Sequence, residues 1–257
     1  MVVSETEISP TVVWHDLECG AYRADLPLWR ELAEEARRGE HGATVLDVGA
    51  GSGRVALDLT RAGHRVSALD SDQELLAALQ RRAGGDAPEI IRADARDFAL
   101  PRLDYDLCIV PMQTIQLLGG SDGRARFLRC AHTHLGPRAL LACAIVTQLE
   151  PFDAELEGRG PSPEIKRVGE DLYVSRALSV RVNRQRVRIE RERTITHEPD
   201  SGEARLRARE RNVIELDRLS ALRLRREGLQ AGFKDAGTRT IAATSEHVGS
   251  TVVMLRA

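Results

Sequence analysis

Long apolar runs are missing from this chain of 257 residues, and none approaches the ~20 residues that a membrane-spanning helix needs. The opening MVVSETEISP lacks a basic start leading into an apolar stretch, so no export signal is expected. Cysteine is sparse: Cys19, Cys108, Cys130 and Cys143 form no CxxC pair and no zinc spacing. Cys108 and Cys143 fall in apolar strand-like runs, where buried free thiols are expected. A single reduced chain in the cytoplasm is the reading these absences favour. Lysine is rarer still, with Lys166 and Lys234 alone among many arginines. The net charge of −2 gives no overall pull toward nucleic acid or an anionic membrane. What remains is ordinary for a globular protein, with 42% apolar and 30% charged residues. The length suits one large α/β domain, with room for an insertion.

The residue pattern predicts a helix over Asp25–Arg38, ended by Gly39 and Gly42, and then a regular alternation. Strands are expected at 44–48, 65–70, 89–94, 105–111 and 139–146. Helices are expected at about 53–62, 72–82 and 122–135. Continuous apolar strands separated by helices imply a parallel sheet covered on both faces, a Rossmann-like doubly wound α/β fold. After Thr147 the pattern changes. A Pro- and Gly-containing loop leads into period-two stretches from about Leu172 to Leu216, read as antiparallel strands with a turn at 197–203. That block holds eleven arginines against seven acids. Interleaved acids and few aromatics favour cross-strand ion pairing over a nucleic-acid surface. A helix at 219–231 and strands near 238–243 and 250–257 return to the α/β pattern. The expected divisions are therefore a lead-in (1–43), a core (44–147), an antiparallel β insertion after strand five (148–217) and a C-terminal part of the core sheet (218–257).

The stretch VLDVGAGSGRVALDL places Gly49, Gly51 and Gly53 between a buried strand and a helix. Such a unit aims backbone N–H groups at a ligand. A P-loop is excluded because no lysine follows the glycines. The dinucleotide fingerprint G-x-G-x-x-G/A would put its third small residue at Arg54, which disfavours that class and leaves it open. Asp47 precedes the turn, Asp70 ends the second strand, and Asp94 ends the third. These acids suit a ligand with a ribose and an adenine amine but no phosphate to recognise.

These motifs resemble the S-adenosylmethionine (SAM) site of class I methyltransferases, in the small-molecule branch typified by methyltransferase domain 25. RADARDF (92–98) and YDLCIVPMQTIQLL (105–118) match its following motifs in order and spacing. WHDLECGAYRADLPLWRELA (14–33) is similar to its lead-in, with Trp14 in place of the first aromatic and Asp16 and Tyr22 retained. Ala231-Gly232-Phe233 and EHVGSTVVML resemble its C-terminal motifs, whereas Gly136-Pro137-Arg138 departs from a usual Gly-Gly turn. The resemblance implies that Gly49, Ala50, Gly51 and Gly53 admit the methionine portion. It implies that Asp47 engages the amino group through water and that Asp70 holds the ribose, with Ser71 bordering the adenine. Asp94 and Ala95 would read the adenine edge, and Val110, Pro111 and Met112 would lie under the sulfonium. Tyr22 would close over the cofactor.

Methyl transfer from a sulfonium is an in-line displacement that depends chiefly on positioning. No residue declares itself as a general base, and no metal ligation is expected. His132 and His134 point to different helix faces and cannot share a metal there. His15, Gln113 and Gln116 are the candidate substrate contacts, with Glu150 and Asp153 as further ones. Val180/Val182 and Val187/Ile189 alternate with charges, so the insertion either caps the substrate or forms a homodimer contact. The expected activity is methyl transfer to an N or O atom of a small-molecule acceptor, with no nucleic-acid or membrane partner. A catalytically silent SAM-binding module and a nicotinamide-dependent oxidoreductase are the competing readings.

Overall fold

The computed structural model describes residues 8–38, 40–85, 87–244 and 247–257. Gly39, expected to help end a helix, lies outside them, as do residues 1–7 at the expected signal-free start and Glu246 of the C-terminal motif. The chain begins with α1 (Pro10–His15), one π-helical turn at Asp16–Gly20, and α2 (Leu26–Ala36). The alternating region follows as β1 (Thr44–Val48), α3 (Arg54–Arg61), β2 (Arg65–Asp70) and α4 (Gln73–Ala83). It continues through β3 (Glu89–Arg92), β4 (Tyr105–Val110), α5 (Gly120–His134) and β5 (Leu135–Ile145). Next come β6 (Phe152–Asp153), α6 (Ala154–Glu157), β7 (Glu164–Val168), β8 (Asp171–Val182), β9 (Arg186–His197) and β10 (Arg205–Asp217). The last elements are α7 (Ala221–Gln230), β11 (Lys234–Ile241) and β12 (Ser250–Arg256).

The elements fall into two compact units, divided differently from the sequence expectation. The larger holds Tyr22–Leu149, Asn183–Val187 and Glu215–Ala257. The smaller holds the described residues up to Ala21, Glu150–Val182 and Arg188–Ile214. The expected lead-in is thus split after Ala21.

In the larger unit the sheet order is β3-β2-β1-β4-β5-β12-β11. The first five strands are parallel; β12 pairs antiparallel with β5, and β11 pairs antiparallel with β12 at the edge. Period-two alternation sends neighbouring residues to opposite faces. Val45, Leu107 and Ile109 pack in one layer with Trp29, Leu59 and Leu79. Leu46, Cys108 and Cys143 pack in the other with Phe127 and Leu128. Both faces are apolar because helices cover both, as a parallel sheet requires. β3 stops at Arg92, two residues short of expectation, because Asp94 turns to bridge Asp97. β5 begins at Leu135, earlier than expected, and passes through Arg138 in the left-handed region at φ 64°.

In the smaller unit the sheet runs β10-β9-β8-β6, and β7 also pairs with β8. The stretch expected to be a loop therefore contributes β6, α6 and β7. Trp14 packs edge-on to Tyr173 at 5.0 Å, in a small cluster with Val13. Glu18, on the π-helical turn, accepts hydrogen bonds from Ser175 Oγ at 2.7 Å and from both ends of the Arg193 fork. Burial raises the Glu18 pKa, but these bonds outweigh it and hold the carboxyl below its usual range. Several arginines of this unit pair with acids: Arg207 with Asp171, Arg209 with Glu192, and Arg211 with Glu155 and Glu190.

One buried ion network in the larger unit ties helix to helix. The Arg124 side chain is 1% exposed and forks onto Glu227 of α7 at 2.6 and 2.8 Å. Its third nitrogen donates to Asp217 at 2.6 Å, and Asp217 also accepts the Gly120 N–H. Without Arg124, Asp217 would keep only the Gly120 N–H, and Glu227 only the exposed Arg223 at 3.1 Å. Arg124→Met is therefore expected to lower unfolding free energy by about 3–5 kcal/mol. Urea unfolding checks this, and a loss below about 1 kcal/mol would show the network to be dispensable.

Candidate functional site

The glycine turn leaves β1 at its carboxyl end. Gly49, Gly51 and Gly53 have φ of 77°, 55° and 94°, a left-handed region costly for other residues. A Cβ on Gly49 would lie 2.5 Å from the Thr114 side chain, so the turn and the segment after β4 are in close approach. The N–H groups of Gly49 and Ala50 donate to Leu69 O at 2.8 and 3.1 Å, locking the turn to the end of β2.

That locking places Asp70 beside the turn. Its Oδ2 accepts the Gly51 N–H at 2.8 Å, and its Oδ1 accepts the Asp72 N–H at 2.9 Å. Both oxygens are thus fixed, and each keeps acceptor capacity for a ligand hydroxyl. Asp72 caps α4 by accepting from Glu74 N and Leu75 N. Ser71 is exposed, and Ala95 is half-buried. Asp94 is exposed and chelated by its neighbour: Arg96 donates Nε to Oδ1 at 2.9 Å and Nη2 to Oδ2 at 2.6 Å. The Arg96 side chain, then its backbone N–H, lowers the Asp94 carboxyl to about 2. An exocyclic amine would have to share that carboxylate with Arg96.

Beneath the turn lies a cluster of buried charge. Arg54 opens α3 and forks onto Asp25 at 2.5 and 2.7 Å, with side chains only 7% and 1% exposed. Arg54 also donates to Tyr22 O at 2.9 Å, and Trp29 Nε1 donates to Asp25 at 2.8 Å. The Tyr22 ring lies between the Arg54 guanidinium at 5.3 Å and the His247 ring at 4.8 Å. The Tyr22 hydroxyl is buried and unpartnered among the described residues. Asp47 is fully buried, and neither of its carboxylate oxygens has a hydrogen-bond partner among them. Burial raises its pKa to about 7; Arg54 and, least of all, the nearby Ala56 backbone N–H oppose that rise, while Asp70 and Asp25 add to it. An unpaired buried carboxylate is costly unless it is protonated or meets a cation.

Val110, the last residue of β4, and Pro111 after it are buried, and Met112 is half-buried with φ 55°. Gln113 is half-buried beside them. Gln116 is 2% exposed and braces the fold: its Nε2 donates to Val146 O and Asp217 O, and its Oε1 accepts the Val146 N–H. Both amide hydrogens are thereby used, which leaves Gln116 no donor for a substrate. His15 ends α1 in the smaller unit, where Asp153 caps α6 and Glu150 is exposed. His134 accepts the Leu100 N–H and contacts Cys130 O, and His132 packs edge-on to Phe233. Sequence reasoning passed over Asp25, Thr114 and His247. Asp25 was legible only as a helix boundary, and Thr114 and His247 stood inside matched motifs without a role of their own.

Residues 45–138 match the family model described as a methyltransferase domain. No curated protein matches the chain in sequence. Among solved structures, the fold is similar to a sugar N-methyltransferase from a Streptoalloteichus species, at 18% identity over 94% of this chain and 91% of that one, TM-score 0.69. It is similar to a SAM-bound amino pentose methyltransferase of calicheamicin biosynthesis from Micromonospora echinaspora, at 17% identity over 95% and 97%, TM-score 0.67. A third is the Burkholderia thailandensis 1,6-didemethyltoxoflavin N1-methyltransferase, at 16% identity over 95% and 80%, TM-score 0.56. The seven-stranded sheet, antiparallel after β5, is the methyltransferase fold.

Asp47 gives this site a pH signature. The folded chain keeps a proton on Asp47 up to about pH 7, while the unfolded chain releases it near the usual carboxylate value of about 4. Stability from this source is complete below about pH 4 and falls as pH rises to about 7, by on the order of 4 kcal/mol. Asp47→Asn cannot ionise. Its stability relative to wild type is therefore expected to climb across that window and level off above it. A difference that stays constant with pH would remove the buried-carboxyl account.

Proposed function

We propose that the chain is a SAM-dependent methyltransferase that moves a methyl group onto a nitrogen or oxygen atom of a small molecule. The observation that carries this reading is the pair of carboxylates at the glycine turn. Asp70 is pinned at the rim with acceptor capacity to spare, and Asp47 is buried below it without a partner. A ribose diol suits the first, and the α-ammonium of a methionine portion, directly or through one water, suits the second. The methyltransferase domain match and the fold point the same way. Likeness to proteins described as N-methyltransferases favours a nitrogen acceptor.

When bound, SAM supplies a methyl group already activated on a sulfonium. The chain's own residues then hold and orient. The backbone at Gly49–Gly53 admits the methionine portion, Asp70 fixes the ribose, and Asp94 with the Ala95 backbone faces the adenine edge. Val110, Pro111 and Met112 form the floor beyond β4, and Tyr22 covers the site from the segment ahead of α2. Holding the acceptor about 3 Å from the methyl, in line with the breaking bond, supplies most of the rate. A base is required only for an acceptor that must lose a proton during attack. An amine that is already neutral needs none.

The test is the thermal response to S-adenosylhomocysteine. The wild-type chain is expected to gain several degrees of melting temperature at saturating ligand, and Asp70→Ala is expected to lose most of that gain. An equal gain in both proteins would remove Asp70 from the ribose contact.

A further inference from the structure

At the opposite end of the larger unit's sheet, where β4 and β5 begin and β12 ends, lies an open cavity of about 470 Å³. Its rim carries Arg37, Arg38, Arg138 and Arg256, and its lining includes the apolar Leu32 and Leu140. Two acids also line it, and both are committed. Asp106 pairs with Arg38 at 3.1 Å and accepts from Thr44, while Glu35 pairs with Arg239 at 3.1 Å. Arg37 is exposed and reaches Glu34 only at 3.5 Å, with a further bond to the Glu40 carbonyl. Arg256 donates to the Arg138 carbonyl at 2.9 Å and has no acidic partner among the described residues. The Arg138 guanidinium has no partner at all among them.

Arg138 is also held in an unfavourable backbone state. Its φ of 64° is one that glycine adopts freely and a side-chain-bearing residue resists. The state is pinned on both sides: the Arg138 N–H donates to Ala257 O at 3.1 Å, and its carbonyl accepts from Arg256. Two neighbouring elements are thus joined by a strained arginine that offers its charge to a groove.

We propose that this groove binds a small anion bearing a phosphate or diphosphate group, at a site separate from the glycine turn. Guanidinium forks match phosphate oxygens in pairs, and two forks without an acidic partner, Arg138 and Arg256, beside a third held only loosely, Arg37, favour a multiply charged group. The volume falls within the usual range of about 300–1,000 Å³ for small-molecule sites. The apolar lining offers cover to whatever carries the phosphate. This inference does not rest on the methyl-transfer reading.

Inorganic pyrophosphate is the probe, titrated calorimetrically into the full chain at low ionic strength, with sodium chloride of matched ionic strength as control. One binding site is expected, and orthophosphate is expected to bind more weakly. Arg138→Gly removes the guanidinium and gives the left-handed position the residue that suits it, so this variant is expected to melt no lower than wild type. Its pyrophosphate affinity is expected to fall roughly tenfold or more, as is that of Arg256→Gln. The response of either variant to S-adenosylhomocysteine is expected to be unchanged. Hydrogen exchange on the wild-type chain gives a reading free of mutation: pyrophosphate is expected to protect residues 136–140 and 252–256. No heat beyond the salt control, undiminished affinity in both variants, or protection confined to residues 49–54 would each overturn the site.

Discussion

A surplus of buried acidic groups over cations organises the carboxyl end of the sheet beside the glycine turn. Arg54 is the cation of the cluster, and Asp25 takes both arms of its fork. Asp47, feeling Arg54 only through space, is left to protonate or to wait for a cation. This is an expensive arrangement in a dry interior, where an unmatched charge costs more than a well-packed apolar group. Under the proposed reading, the ammonium of the bound ligand offsets that cost at the turn. The same Arg54 holds Tyr22 through its carbonyl and beneath its ring, so one side chain couples the glycine turn to the segment ahead of α2.

The sheet carries this cluster because of its register. Pairing Val48 with Leu69 brings Asp70 level with the first glycine of the turn, where the Gly51 N–H can fix it. Thr114 closes the approach from the far side, against a Gly49 that has no room for a side chain. The geometry of the turn and of the Asp70 carboxylate beside it therefore follows from strand pairing and backbone conformation.

The core sheet was readable because its signal is local. Runs such as TVLDV and YDLCIV must be strands buried on both faces, and β1 and β2 end where the pattern says they should. What escaped depends on contacts distant in sequence. Arg124 looks like an ordinary surface arginine of an amphipathic helix until α7 folds back and supplies Glu227. Gln116 follows β4, where acceptors could sit, yet its amide is consumed by Val146 and Asp217. The first residues were grouped with the lead-in because they precede it. In the fold, Val13 and Trp14 bury against Tyr173 instead, which no period along the chain could announce. The loop expected after β5 hides β6 and β7, whose strand character comes from pairing with β8 and not from their own composition.

The central claim is that the glycine turn and its two carboxylates recognise an adenosine joined to an amino-acid tail. The most direct measurement is calorimetric titration of the chain with S-adenosylhomocysteine, with NADH run in parallel. The account predicts one site of micromolar affinity for S-adenosylhomocysteine and no binding of NADH. Binding of NADH alone, or of neither, would contradict it and leave the turn to another ligand.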